Sequence, residues 1–412
     1  MTTMHTATDA VTDPVQQTRD IEAGREGILT TARALGPLIR EHAEEAERER
    51  RLAPEVIQAL TEAGLFRLLL PRTLGGLEVD PITCSLAVEE IAGFDSAAAW
   101  AMQAGNTGAW WAARLPTEGV EEIYSGNPSA LMSAAFHPPQ QARETAGGYR
   151  VTGRGPLAST IHDAEWLFLT ALVIEGERPR MVGDMPEVVG LVIRAREAEI
   201  VDTWYSLGMR GTDSNDVVIS DVFVPASRSY PLVPEFEPNP HHRGPLYRFP
   251  GIGAVSLTVA PIALAVARNA ITEVRGLVQR KTAFGFTRPL RERPTVQATL
   301  ARAEAMLRAA RLLWYDTLGS AWERTVAGTA HTPEQKADML LAGTYAAATA
   351  AKVTDMMHRV AGTTGIYARN PLERHFRDAE TLRHHGFVSE NRFEAVGQVY
   401  CGVPPEFGMV AF

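Results

Sequence analysis

The spacing of apolar positions along this chain changes period twice. From residue 18 to about 127, apolar residues recur at the three-to-four spacing of a helix face. Within that stretch Leu52-Ala-Pro-Glu-Val-Ile-Gln-Ala-Leu-Thr-Glu-Ala-Gly-Leu65 places a proline near a helix start and a glycine near its end. Residues 70–79 read as a loop and 83–92 as a second helix. An alanine-rich helix containing Trp100 and Trp111 follows, its small residues suited to close packing. After about residue 130 the pattern turns to β-branched and aromatic runs punctuated by glycine and proline. Tyr149-Arg-Val-Thr152, Trp166-Leu-Phe-Leu-Thr-Ala-Leu-Val-Ile174, Val189-Gly-Leu-Val-Ile193 and Val217-Val-Ile-Ser-Asp-Val-Phe-Val224 predict strands. From about residue 255 the helical period returns, over 261–281, 296–315 and 336–358, and 375–386 reads as a further helix. Helices, strands, then helices predict an α+β fold. The expected divisions are a disordered tail (1–17), an N-terminal helical domain (18–130), a central β-domain (131–240) and a C-terminal helical domain (241–412).

Composition narrows the partners more than the fold. At 412 residues, two or three domains are the prior, and 45% hydrophobic with 22% charged residues suits a globular protein. A net charge of −9 argues against nucleic acid, which calls for a basic stripe. Two cysteines, Cys84 and Cys401, make neither a disulfide framework nor a zinc site, which is compatible with the cytoplasm. The first seventeen residues are polar and lack the apolar run of a signal peptide. The longest uncharged run, residues 249–267, contains Pro250 and Pro261; it is marginal as a membrane span and reads as a buried helix. Residues 225–250 hold seven prolines and read as a working loop or a docked linker.

Several segments could carry chemistry. In His375-Phe-Arg-Asp-Ala-Glu-Thr-Leu-Arg-His-His385, read as a helix, Asp378, Leu382 and His385 share a face while His384 is turned about 100° away. The plain alternative is a histidine pair favoured by the helix dipole. Before it, Val360-Ala-Gly-Thr-Thr-Gly-Ile-Tyr367 is a Gly/Thr loop that breaks a helical pattern. In Gly148-Tyr-Arg-Val-Thr-Gly-Arg-Gly-Pro-Leu-Ala-Ser-Thr-Ile-His162, Ser159 and Thr160 offer hydroxyls that donate and accept, although both are also ordinary turn residues. Trp204-Tyr-Ser-Leu-Gly-Met-Arg-Gly-Thr-Asp-Ser-Asn-Asp216 combines two glycines with Arg210, Ser214 and Asn215, side chains able to bond a ligand or simply to make a turn. Gly251-Ile-Gly253 lacks a preceding strand, so a dinucleotide fingerprint is set aside. His375 falls opposite His384 on a helix, so a shared metal face is set aside too.

Taken together, the Gly/Thr loop, the Arg-Asp helix, the 204–216 turn leading into a strand ending Val224-Pro225, and Arg280-Lys-Thr-Ala-Phe-Gly285 resemble the acyl-CoA dehydrogenase superfamily over nearly the whole chain. In its dehydrogenases a catalytic glutamate stands shortly after the Arg-Asp pair. The matching position here is Gly386, preceded by His385, and no Asp or Glu occurs between Glu237 and Glu273 to serve instead. A histidine at this place resembles the superfamily's flavin-dependent monooxygenases. The resemblance implies reduced FMN or FAD delivered by a separate NAD(P)H:flavin reductase. It also implies O2 as co-substrate and a C4a-hydroperoxyflavin that oxidises carbon, nitrogen or sulfur of a small organic substrate.

It further implies His385 as acid/base or peroxide stabiliser, its pKa near neutrality, with Ser159 at flavin N5. Ser159, Thr160, Lys281, Phe284, Gly362, Thr363 and Arg377 are the expected cofactor contacts; Lys281 stands where the dehydrogenases carry an arginine, and lacks its bidentate fork. Trp100, Asn106, Trp110, Arg210 and the proline-rich segment are the expected substrate lining. A tetramer or dimer through the C-terminal helices is expected, because the uncharged run 249–267 needs cover. The alternatives are an FAD oxidoreductase of this fold with a non-standard base, and a catalytically silent flavin-binding partner subunit.

Overall fold

The computed structural model describes residues 14–411. The expected tail lies outside the described residues as far as residue 13, and from Pro14 the chain is helical: α1 (Pro14–Ala34), α2 (Gly36–Glu49), α3 (Pro54–Glu62), α4 (Pro81–Ala92), α5 (Ser96–Trp111) and α6 (Thr117–Tyr124). Their starts have local causes. The Asp80 carboxylate accepts the Thr83 N–H at 2.9 Å with Pro81 in the first turn, and Asp95 accepts the Ala98 N–H at 2.8 Å.

The strands are β1 (Met132–Thr145), β2 (Gly148–Ala158), β3 (Trp166–Glu175), the short β4 (Arg178–Pro179), β5 (Met181–Val182) and β6 (Met185–Pro186), then β7 (Val188–Arg194), β8 (Glu199–Val201), β9 (Asn215–Pro225) and β10 (Ser229–Pro231). The main path runs β10-β7-β3-β1-β2-β9-β8, with β1 and β3 parallel and the other neighbours antiparallel. Its two ends do not pair, which leaves a mixed sheet open at β10 and β8. Period-two alternation places β3 in two cores at once. Leu167, Leu169, Ala171 and Val173 fill one, while Trp166 and Phe168 fill the other with Leu70, Ala109 and Val120 from the helical side. The sheet is thereby fixed against α5.

Helices return as α7 (Gly251–Ser256), α8 (Ala260–Arg280), α9 (Pro294–Val326), α10 (Pro333–Ala361), α11 (Pro371–Leu382) and α12 (Arg392–Tyr400). α10 packs against α8, α9, α11 and α12. The stretch Gly251–Arg280 is long and apolar enough to cross a membrane by composition, yet 89% of its most apolar window is buried inside the molecule. That burial corrects the reason given for self-association: the uncharged run is covered by its own chain. The proline-rich segment is docked on the N-terminal helices. Asn239 Nδ2 donates to the carbonyls of Ala112, Ala113 and Leu115, and the Trp110 indole N–H donates to the Leu246 carbonyl.

Candidate functional site

β2 and β9 pair as far as Ala158 opposite Asn215, so the next residue of β2 and the last before β9, Ser159 and Ser214, leave the sheet side by side. Their hydroxyls lie 2.8 Å apart, and Ser214 lies 2.7 Å from the Thr212 hydroxyl. The two chain segments here are held in uncommon backbone. Leu157, Thr160, Met209 and Asp213 have φ of 61°, 54°, 55° and 51°, a left-handed region that costs a side-chain-bearing residue of order 1–3 kcal/mol. Cross-bonds maintain it: Thr160 N–H donates to the Thr212 carbonyl at 2.8 Å, and Asp213 holds the His162 N–H and ring at 2.9 and 2.8 Å. Burial pushes the Asp213 carboxyl up, and its bonds with His162 oppose that.

From α5, the Trp100 indole N–H donates to Ser159 Oγ at 2.9 Å. The same indole meets the His385 ring edge-on, 5.1 Å between centroids, and His385 lies 5.3 Å from Phe387. Trp100 therefore joins Ser159 and His385, the two residues the motifs singled out, into one wall. Phe136, Phe168, Trp111, Leu157, Thr107, Val255 and Thr258 complete the cavity around them, with no Asp, Glu, Lys or Arg in its lining. As it stands the space is about 90 Å³, below the ~150 Å³ that accommodates benzene, so larger guests enter only if the walls part.

His385 reaches this wall by a route different from the expected one. α11 stops at Leu382, and His384 and His385 sit in the turn beyond it, donating backbone N–H bonds to Thr381 and Leu382 three residues back. The residue is thus not on a face shared with Asp378. Desolvation also lowers its pKa to about 4, correcting the expected near-neutral value. At pH 7 the ring is an uncharged imidazole. Its Nδ1 accepts a long 3.4 Å contact from the Phe387 N–H, which leaves the hydrogen on Nε2. His384 is exposed.

The other expected residues divide into two groups. Lys281, Phe284, Gly362 and Thr363 line one open cleft of about 760 Å³ together with Arg293, Arg302, Lys352 and Arg359; among the described residues no acidic one lines it, although Arg359 Nε donates to Asp355 at 2.9 Å. Lys281 Nζ is itself engaged by the Ala361 carbonyl and Thr364 hydroxyl, so the guanidinium forks come from elsewhere in the cleft. A second group is engaged with the scaffold. Asn106 is fully buried and ties Leu65, Met102 and Leu69 backbone groups together at 2.7, 2.8 and 3.1 Å. Trp110 is buried and points its N–H to the proline-rich segment, while its neighbour Trp111 lines the cavity. Arg210 bonds the Ser206 carbonyl and lies 3.6 Å from Glu47; Arg377 grips Glu373 and Glu47, each at 2.6 Å. The buried Thr160 hydroxyl donates to the Ser159 carbonyl at 2.6 Å and is spent there. The proline-rich segment contributes nothing to the lining.

Sequence reasoning missed Phe136, Phe168 and Phe387. The run Trp166-Leu-Phe168 carried a usable signal, since alternate residues of a strand face one side. Phe136 stands two residues before Pro138-Pro139, and prolines disguise a strand.

Comparison with known proteins identifies the family. Residues 29–124 match the acyl-CoA dehydrogenase N-terminal domain and residues 257–390 its C-terminal domain. An indole-3-acetate monooxygenase of Pseudomonas putida is 31% identical over 88% of this chain and 90% of its own length. The oxygenase subunit HsaA of a flavin-dependent monooxygenase from Mycobacterium tuberculosis is 28% identical over 96% of this chain and 99% of its own. The structure of XiaF from a Streptomyces species, in complex with FADH2 and glycerol, superposes with a TM-score of 0.87 at 23% identity, covering 95% of this chain and 99% of that one. With both domains matched and relatives of this kind along most of its length, the chain belongs to the acyl-CoA dehydrogenase family, in the branch formed by the flavin-dependent monooxygenases.

Proposed function

We propose that this chain is the oxygenase component of a two-component monooxygenase that acts on a small, uncharged, electron-rich aromatic compound. The observation that carries the substrate class is the lining: five aromatic side chains besides His385, two threonines and a serine, and no ionised residue. A carboxylate or ammonium substrate would lose its hydration there without a partner. Flat aromatic walls instead favour a flat ring. The lack of a lining carboxylate leaves the α-proton abstraction of a dehydrogenase without its base, which disfavours the first alternative.

The residues fit a flavin. Ser159 offers a hydroxyl oxygen at an aromatic wall, and the cleft lined by five cations, of which Arg359 is paired with Asp355, suits a phosphate-bearing group near Lys281, Phe284, Gly362 and Thr363. Bound reduced FMN or FAD would supply the two electrons that activate O2, which is the source of the oxygen atom transferred. The chain's own part is to exclude water with Trp100, Trp111, Phe136, Phe168 and Phe387, and to place one hydrogen-bond donor beside the reacting centre. Neutral His385 supplies it from Nε2–H, its one lone pair, on Nδ1, being turned to the Phe387 N–H. A separate reductase supplies the reduced flavin, which the naming of the HsaA relative as an oxygenase subunit supports. A second copy of the chain is the proposed cover for Phe284, Phe286, Ile366 and Tyr367, all largely exposed beside the cleft or its loop.

The test is turnover with chemically reduced flavin, O2 and a panel of phenols, indoles and their carboxylated analogues. Oxygenation of the uncharged members is expected, without any reductase present. Turnover with NAD(P)H and this chain alone, or a consistent preference for the carboxylates, overturns the reading.

A further inference from the structure

We infer that the row of hydroxyls behind Ser159 has a fixed direction, which makes Ser159 a hydrogen-bond acceptor and the site selective for reduced over oxidised flavin. The inference deepens the proposed function and rests on Ser159 as the flavin contact.

The direction follows from counting protons. A hydroxyl has one hydrogen to give, and a carbonyl has none. Thr212 Oγ1 gives its hydrogen to the Met209 carbonyl at 2.8 Å, so at 2.7 Å it must accept from Ser214. Ser214, having given its hydrogen to Thr212, must accept from Ser159 at 2.8 Å. Ser159 therefore has no hydrogen left. One of its lone pairs already takes the Trp100 indole N–H at 2.9 Å, and an indole can only donate. What Ser159 still offers is a single lone pair.

Flavin N5 changes sides with redox state. In the reduced ring it carries a hydrogen and donates; in the oxidised ring it is a bare acceptor. An accepting Ser159 pairs with the first and opposes the second. Reversing the row would require Ser159, Ser214 and Thr212 all to rotate and would give up the bond to Met209. Ser159, Ser214 and Thr212 are 9%, 5% and 1% exposed, so bulk water offers little compensation. The left-handed backbone at Met209 and Asp213 on either side of Thr212 holds the far end of the row in place. Ser214 and Thr212 are thus positioning residues that act through Ser159.

Affinities for oxidised FMN in air and for dithionite-reduced FMN without oxygen, measured by titration on the wild type, Ser214→Ala and Ser159→Ala, test this. The wild type is expected to bind reduced FMN more tightly. Ser214→Ala frees the Ser159 hydrogen to point at N5 and should shift the reduced-to-oxidised affinity ratio roughly tenfold toward oxidised FMN, the scale of one hydrogen bond. Thr212→Val releases Ser214 to donate back to Ser159 and should shift the ratio the same way, which serves as the second measurement if Ser214→Ala does not fold. A ratio unchanged in whichever of these variants fold, while Ser159→Ala weakens reduced FMN, overturns the directed row and leaves the flavin contact standing. If Ser159→Ala changes neither affinity, the flavin contact itself fails, and the inference with it.

Discussion

His385 draws its chemistry from desolvation alone. With a pKa lowered to about 4, it is uncharged at neutral pH, and its use is to donate a hydrogen bond from Nε2–H. His385→Ala should lower product formation by roughly 10²-fold, the common scale for losing a donor at a reacting centre, while oxygen consumption continues and hydrogen peroxide replaces product. His384→Ala should stay near wild type, because that side chain is exposed. Equal losses in both variants, by product assay and peroxide release, would place the working proton elsewhere. Sequence was informative here where a residue type is unusual for its position: a histidine where a carboxylate was due, and a serine at a strand end. It was poor at register. Trp110 and Trp111 are neighbours on α5, a helix buried nearly all round, and hydrophobic spacing in such a helix does not tell the cavity side from the packing side.

Among the elements, α11 is the one that assembles the site. The buried Asp378 carboxylate accepts the Met209 N–H and the Ser96 hydroxyl, each at 2.6 Å, with Arg374 at 3.6 Å. One side chain thereby joins the start of α5, the turn before β9 and the C-terminal helices. Asp378→Ala should cost about 3 kcal/mol or more, as expected when a buried charge network loses a member, read as a lowered denaturant midpoint. The adjacent turn is equally close-fitting. A Cβ on Gly208 would stand 2.3 Å from the Arg377 carbonyl oxygen, so Gly208→Ala should also destabilise, by about 1–3 kcal/mol in the same measurement. Helix existence was legible along most of the chain, but the end of α11 was not. Leu382-Arg-His-His385 continues a plausible helical pattern, and the turn there is set by packing, with Val388 N–H returning to the His385 carbonyl. β1 was likewise hidden, since its pairing with β3 shifts register between Ala135 and Gln140, around the two prolines.

At the scale of the whole molecule, acid should act through three histidines. Desolvation lowers His242 to about 3 and His375 and His385 each to about 4, against 6.5 for an exposed ring. Between those values the unfolded chain binds protons that the folded chain refuses, so stability is intact above about pH 6.5 and falls as pH drops toward 4. Melting temperatures recorded from pH 7.5 to 4.5 should decline, and less steeply in His385→Ala. Light scattering should return a multiple of the 44.9 kDa chain mass; the monomer mass at micromolar concentration would remove the proposed second copy. The cleft beside Phe284 bears on timing as well as binding. Reduced flavin in transit from another protein is exposed to dissolved oxygen, and each molecule oxidised on the way is lost to the reaction. Five lining cations, Arg359 among them paired with Asp355, on a chain of net charge −9, form a local attractive field for a phosphate-bearing anion that raises its capture rate. Salt shortens the reach of that field to about 8 Å at physiological strength and about 3 Å at 1 M. With reduced flavin docking there as proposed, the fraction of reducing equivalents reaching product should fall as ionic strength rises.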